Sequence, residues 1–590
     1  MEKAYMEKYN QWLMDPFIDD ETKTELKSIS GNEAEIEDRF YKELEFGTAG
    51  LRGIMGAGTN RMNKYIVAKA TQGLADYINA FFEILMKHRE EKEEELCEAS
   101  GHDCSKCGGC SEEMVPGVAI AYDSRHHSEE FSEIAASVLN ANGIRTYVFE
   151  NLRPTPELSF TIRHLGCVAG INITSSHNPA EYNGYKVYWA DGAQITAPHD
   201  ENITACIRNV QNFSNPKRME KKEAISKELY VSIGRITDEA YMNKVSEQVK
   251  EPSLMKQMAR DITVAYTPLH GAGITIIPEL LHRFGIDNLY IVKEQEKPDG
   301  DFPTVEFPNP EMPTAFQLVD ELGQKVKADL MIATDPDSDR IGVHVRDEEG
   351  KYHELSGNVL GCLVCEYELE RLKAQGKIPA DGYVIRSIVS SRLFDRIAKA
   401  HGVEVREVLT GFKNIGAEMF KSEVTKDGTC ILAYEESYGY LVGDYARDKD
   451  ACVTALILCE MCAYYKYEDM TLWDAVCEMY EKYGYEEEKT VSITRKGING
   501  LEEISNIMTE MRKNPPAVIG GYEVKRMVDY EQSELTGLPK SNVLFFQLEG
   551  GWVCVRPSGT EPKIKYYFGV TEELSKATDK IQLLEEDFVK

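Results

Sequence analysis

Between Tyr65 and Leu85, apolar residues recur at Val67, Ala70, Leu74, Tyr77, Ile78, Phe81 and Leu85, a spacing that predicts a helix with one stripe against a core. His88–Glu98 continues it as a run of charge. The pattern then shifts to short runs of small and β-branched residues, Val118–Tyr122, Ile144–Phe149 and Val168–Thr174, with a helical segment at Phe131–Asn142. Such alternation predicts a mostly parallel sheet covered on both faces. It resumes with strands at Ile262–Tyr266, Leu289–Val292 and Leu330–Ala333 around a helix at Ile274–Phe284. A third round has a helix at Leu355–Ala374 and strands at Tyr383–Ile388, Val403–Val408 and Cys430–Tyr434. The last segment differs: helices near 470–483 and 500–512 surround short strands, and Val543–Gln547 with Trp552–Val555 reads as a hairpin through Glu549-Gly550-Gly551.

These patterns predict three similar α/β domains with mostly parallel mixed sheets, at 1–215, 216–345 and 346–465, and a C-terminal α+β domain at 466–590, all around a central cleft. The first 45 residues read as a helical brace, with Trp12, Leu13 and Phe17 as packing residues. Lys297–Pro310 is a Pro-rich loop expected to be ordered if it borders the cleft. A chain of 590 residues, 42% hydrophobic and 28% charged, is too long for one core.

The formal net charge of −32 argues against nucleic acid or an anionic membrane as a partner. It leaves a small anion possible, since that needs only a local basic pocket. No run of eighteen apolar residues occurs and Met1–Asn10 is charged from its second residue, so a membrane span and a signal peptide are not expected and the cytoplasm is. Monomer and homodimer both stay open. Of fourteen cysteines, ten are scattered and expected to be reduced. Cys97, Cys104, Cys107 and Cys110 cluster near His102. They fit either a four-thiolate zinc site or an insertion with free thiols, whereas the fourth position of an iron–sulfur run falls on Met114.

Candidate chemistry sits where strands end. Val168–Thr174 stops at Ser175-Ser176-His177-Asn178-Pro179, which places Ser176 at the ligand-facing end of an α/β sheet as a candidate nucleophile. The alternative is a turn hydroxyl capping a neighbouring amide. After Leu330–Ala333 comes Thr334-Asp335-Pro336-Asp337-Ser338-Asp339-Arg340. Asp335, Asp337 and Asp339 alternate on a tight loop and offer only oxygen, which suits Mg²⁺; a Ca²⁺ loop of the EF-hand kind lacks its glycine and distal glutamate here.

Together with Tyr434-Glu435-Glu436-Ser437-Tyr438-Gly439, Arg556-Pro557-Ser558-Gly559-Thr560-Glu561-Pro562 and the opening Glu45–Gly53, these stretches, in this order, resemble the α-D-phosphohexomutase superfamily, the phosphoglucomutases and phosphomannomutases, over nearly the whole chain. The resemblance implies a Mg²⁺-dependent enzyme of sugar phosphates in which Ser176 is carried as phosphoserine and completes the metal shell. It places Arg52 and Arg340 beside the phosphoryl group and Lys186 and Lys413 near the reacting hydroxyl, with His177 and His270 as weaker proton carriers. Glu435 and Ser437 would read the sugar; Arg556, Ser558, Gly559 and Thr560 would anchor the other phosphate. The implied reaction converts glucose 1-phosphate to glucose 6-phosphate through glucose 1,6-bisphosphate. Pentose and mannose phosphates remain open as substrates of the same scaffold. A serine phosphatase gains nothing from a second phosphate anchor, and a silent sugar-phosphate sensor is expected to lack one of these groups.

Overall fold

In the computed structural model, residues 3–47, 50–100, 115–495, 500–558 and 563–589 are described. Of the first sheet's six strands, Ala169–Ile173, Gly117–Tyr122, Arg145–Phe149 and Tyr230–Ile233 run parallel; Tyr182–Trp189 and Gly50–Ile54 add antiparallel beside Ala169–Ile173. The second sheet has Leu289–Ile291, Val264–Thr267 and Leu330–Thr334 parallel, then Ile341–Arg346 and Tyr352–Leu355 antiparallel. In the third, Glu404–Val408, Gly382–Ser387 and Thr429–Glu435 are parallel and Gly439–Val442 antiparallel.

One unit recurs in all three. A buried parallel strand ends, the chain loops, and an antiparallel neighbour carries it back: Ala169–Ile173 to Tyr182–Trp189, Leu330–Thr334 to Ile341–Arg346, Thr429–Glu435 to Gly439–Val442. Each loop holds a non-glycine residue in the left-handed region, Ser176 (φ 53), Ser338 (φ 54) and Tyr438 (φ 58). The first two loops carry Ser176 and the aspartates, and Glu435 is the last residue of the strand that leads into the third.

Two of the three expected limits between domains fall inside elements, and the first cuts a strand from its sheet. Tyr230–Ile233 lies past 215 yet pairs with Arg145–Phe149; only its first residue is fully buried, so it shows no apolar run in the sequence. Position 345 falls within Ile341–Arg346, and 465 within the helix Ala451–Tyr467, buried on nearly every side in a core shared by the second and third sheets.

The last sheet is wholly antiparallel, ordered Glu486–Thr494, Lys563–Thr571, Gly551–Pro557, Leu544–Leu548, Tyr522–Asp529, Val518–Ile519, with the helices Gly500–Lys513 and Leu574–Phe588. It docks on the third domain through Ile388, Val389 and Leu409 against Tyr530, Phe545 and Trp552. In the brace, Trp12 is buried against Phe40 and Tyr65, and Leu13 is half-buried. Phe17 is instead 59% exposed, and Ile18 takes the buried place. Among the described residues, no helix is long and apolar enough to cross a membrane.

Candidate active site

Ser176 is 3% exposed, and its Oγ donates to Asp335 Oδ2 at 2.8 Å, joining the loops of the first two domains. Asp335 Oδ1 accepts from the backbone amides of Asp339 (3.1 Å) and Arg340 (3.0 Å), which fixes the loop's tight turn. Asp337 Oδ2 accepts from Lys186 Nζ and Thr155 Oγ1, each at 2.8 Å. The remaining oxygens, Asp337 Oδ1 and Asp339 Oδ1, are buried and have no hydrogen-bond partner among the described residues. One ligand atom from each aspartate lies within 4.8 Å of the others. Buried, all-oxygen and left orphaned in this way, the set fits a hard divalent cation.

The charges show the same need. Burial pushes Asp335 well up, and the neighbouring Asp337 and Asp339 push it further. Asp337 is held low despite its burial, because Lys186 lies against it. A cation between the three carboxylates would relieve that repulsion.

Lys449 was missed by the sequence reading. Its Nζ lies 3.1 Å from Asp339 Oδ2 and 3.2 Å from Asp448 Oδ1. Asp448 Oδ2 is in turn held by Tyr188 Oη (2.8 Å) and Gln194 Nε2 (3.0 Å). Burial works against this ammonium, but Asp339 and Asp448 outweigh it and keep it charged. The available signal was Asp448-Lys449-Asp450, a charged triplet directly before a mostly apolar helix. Lys413 enters the helix Phe412–Thr425 half-buried; burial lowers its pKa, and its charged neighbour is Asp200 of the first domain.

His177 Nδ1 is 3.1 Å from Ser176 Oγ. Burial, then Arg340 and Arg52, hold its pKa well below the usual histidine value, so the ring is neutral. His270 is not brought to the aspartates: its ring nitrogens engage Lys297 O (3.1 Å) and Thr304 Oγ1 (2.9 Å) of the Pro-rich loop, which it holds in place. Arg340 Nη1 pairs with Glu311 Oε1, the residue just after that loop, at 2.8 Å, its Nε 3.9 Å from Asp339 Oδ1. Arg52 lies on the strand Gly50–Ile54, opposite Gly184.

Burial pushes Glu435 up to about 7, against the pull of Lys449. Half-buried Ser437 sits 3.5 Å from Glu436 Oε1. In the last domain Arg556 Nη2 donates to Tyr567 Oη at 3.3 Å, and Glu436 of the third domain adds to its positive character. Antiparallel pairing sets Lys565 directly across from Arg556. Burial and that guanidinium lower Lys565, a second cation the motif reading missed because it lies on the strand after the loop. The amide of Ser558 donates to Lys563 O at 2.7 Å. Gly559 and Thr560, with Thr48 and Ala49 of the opening motif, lie outside the described residues, as do His102 and the side chains of Cys97, Cys104, Cys107 and Cys110.

Four consecutive family models match the chain: phosphoglucomutase/phosphomannomutase alpha/beta/alpha domains I, II and III at residues 88–213, 239–350 and 356–483, and the C-terminal domain at 508–581. A phosphoglucomutase of Staphylococcus haemolyticus is 35% identical over 548 residues, 90% of this chain and 91% of that protein. One of Staphylococcus aureus is 36% identical over 556 residues, 92% of each chain. Two solved structures share the fold at 17% identity. They are pp63/parafusin, a phosphoglucomutase of Paramecium in an open form (TM-score 0.66, covering 92% of this chain and 95% of that one), and a phosphoglucomutase/phosphomannomutase family protein of Burkholderia thailandensis (0.63, covering 92% and 98%).

Proposed function

We propose, from the premise that this chain belongs to the phosphoglucomutase/phosphomannomutase family, that it is a phosphohexomutase, an isomerase interconverting glucose 1-phosphate and glucose 6-phosphate. The observation that carries the reading is the contact of Ser176 Oγ with Asp335 Oδ2, which sets a nucleophile against a cation site. Relatives over nine-tenths of the chain, named phosphoglucomutase, support glucose as the sugar.

In the first transfer the bond between phosphorus and Ser176 Oγ breaks as one forms to the 6-hydroxyl of glucose 1-phosphate, whose proton ends on the freed Ser176 Oγ. Glucose 1,6-bisphosphate results. It turns over in the cleft and its 1-phosphoryl group passes back to Ser176 Oγ, the serine's proton ending on the sugar's O1, which releases glucose 6-phosphate. Asp335, Asp337, Asp339 and a phosphoserine oxygen would hold Mg²⁺, which supplies a positive charge against the oxygens of the transferring group. Lys186, Lys449, Arg340 and Arg52 add fixed positive charge around the same point. Lys449, kept charged by its aspartates, acts as a hydrogen-bond donor. His177 Nδ1, on a neutral ring 3.1 Å from Ser176 Oγ, is suited to accept the serine's proton on the return transfer.

Glu435 and Ser437 read the ring hydroxyls, and Arg556 with Lys565 and Ser558 holds the phosphate that is not reacting. Because the two transfers present opposite ends of the sugar, that anchor has to accept either phosphate.

Phosphorus NMR tests the reading. The protein is given Mg²⁺, a trace of glucose 1,6-bisphosphate, and glucose 1-phosphate in competition with ribose 1-phosphate. Faster growth of glucose 6-phosphate supports it; preferential ribose 5-phosphate, or inorganic phosphate without either isomer, overturns it.

A further inference from the structure

Arg125 follows the strand Gly117–Tyr122 in the turn Asp123-Ser124-Arg125 and is 3% exposed. Its Nη1 donates to the carbonyls of Pro179 (2.7 Å) and Tyr182 (3.0 Å), and its Nη2 to those of Ser176 (2.6 Å) and Asn178 (2.5 Å). Four carbonyls of the Ser176 loop therefore converge on one guanidinium. Its Nε lies 3.2 Å from Asp123 Oδ2, an oxygen that also accepts from Thr174 Oγ1 at 2.6 Å. Burial lowers the guanidinium's pKa, and Asp123 counters this in part. No other side chain offers a planar fork of fixed charge that could span these carbonyls.

What the fork holds is a strained backbone. Ser176 sits at φ 53, a conformation that persists in a non-glycine residue only where the surroundings over-determine it.

The other face of Arg125 meets the second domain. Its guanidinium carbon lies 4.9 Å from the centroid of the Phe302 ring. Beside Phe302, a Cβ on Gly300 would come within 2.6 Å of His126 N, so the Pro-rich loop packs backbone to backbone on the Arg125 turn. The amide of Asp299 donates to His270 O at 3.2 Å. Next to His270, a Cβ on Gly271 would stand 2.4 Å from Pro336 Cα, in the aspartate loop. Unbroken packing thus runs from the serine loop through Arg125 and the Pro-rich loop to the back of the aspartate loop.

We propose that Arg125 is a positioning residue for phosphoryl transfer: it clamps the Ser176 loop in its strained form and registers it against the aspartate loop through Phe302. The proposal rests on Ser176 as the phosphoryl carrier, and it adds the group that aims that carrier.

The test uses Arg125→Lys, which keeps the charge but replaces the fork with a single point, and Phe302→Leu, which removes the ring face. Rapid-quench intact-mass measurement follows phosphorylation of the full chain by glucose 1,6-bisphosphate. In Arg125→Lys, the transfer rate and kcat are expected to fall about a hundredfold, and in Phe302→Leu about tenfold, with KM changed by less than about threefold because Glu435 and Arg556 are untouched. Hydrogen exchange across 174–182 is expected to quicken in Arg125→Lys while the rest of the first domain keeps its protection. Wild-type transfer rates in both variants, or a loss confined to KM or to the folded fraction, overturn the proposal. So does unchanged exchange across 174–182 in both variants, whatever their activity. A wild-type chain that takes up no phosphoryl group overturns the carrier reading instead, and the exchange result then judges the clamp by itself.

Discussion

Ser176 Oγ and Asp335 Oδ2 are 2.8 Å apart although 159 positions separate the two residues in the chain. The contact closes only because the first two sheets present the same hairpin loop to each other. Replacing Ser176 with alanine removes the nucleophile while keeping a side chain that meets the same left-handed backbone cost, about 1–2 kcal/mol in either residue. Ser176→Ala is therefore expected to fold with an unchanged melting midpoint, to gain no phosphoryl mass from glucose 1,6-bisphosphate, and to show no isomerisation by phosphorus NMR. Residual turnover at the wild-type rate would remove Ser176 from the reaction.

The orphaned oxygens of Asp337 and Asp339 predict a linkage between metal and stability. A cation bound only by the folded chain stabilises it by about 2.7 kcal/mol at a hundred times its Kd. Adding Mg²⁺ to chelator-treated protein is expected to raise the thermal unfolding midpoint, and chelation to stop turnover. In Asp337→Asn the shift should largely vanish. An equal shift in that variant would place the ion elsewhere.

Lys449 lies between Asp339 and Asp448, both buried. Removing its charge takes from two buried carboxylates the ammonium they share, and breaking a buried pair in this way costs roughly 3–5 kcal/mol. Lys449→Met is thus expected to lose both stability and kcat, whereas Lys413→Met, facing Asp200, should lose less of each. Urea unfolding and turnover of the two variants side by side check this, and the reverse order would return Lys413 to the centre.

Why one lysine was legible and the other was not has a physical cause. Ser176 and the three aspartates lie on loops immediately after apolar strands and Glu435 ends such a strand, and strand ends are readable from local pattern. Lys186 follows on the antiparallel return strand, where it could be matched by spacing from Ser176. Lys449 reaches the aspartates only through the way the helix Ala451–Tyr467 packs between two sheets, a non-local fact without any periodicity. The same holds for Lys565, placed by register across from Arg556, and for Thr155, whose hydroxyl reaches Asp337 from another domain. The fold class was legible for the opposite reason, since strand and helix alternate over short stretches. Its limits were not, because Tyr230–Ile233 is an edge strand with a single fully buried residue.

Far from the cleft, Glu460 predicts a dependence of stability on pH. It is fully buried in the helix Ala451–Tyr467, its Oε1 accepting from the amides of Lys250 (2.7 Å) and Glu251. Burial pushes it up to about 8, and Glu368 adds to the rise. The unfolded chain releases this proton near the ordinary glutamate value, about 4.3. Between there and about 8 the folded state holds a proton that the unfolded state has lost, so stability falls as pH rises, by roughly 1.4 kcal/mol per unit from this group. Above the folded value the contribution is fully lost and the slope from this group ends. Glu460→Gln keeps an acceptor for both amides but cannot ionise. Its stability relative to wild type is therefore expected to increase steadily from about pH 5 and to level off near pH 8. Urea unfolding across that range checks this, and a difference that does not change with pH would show that Glu460 is ionised in the folded protein throughout.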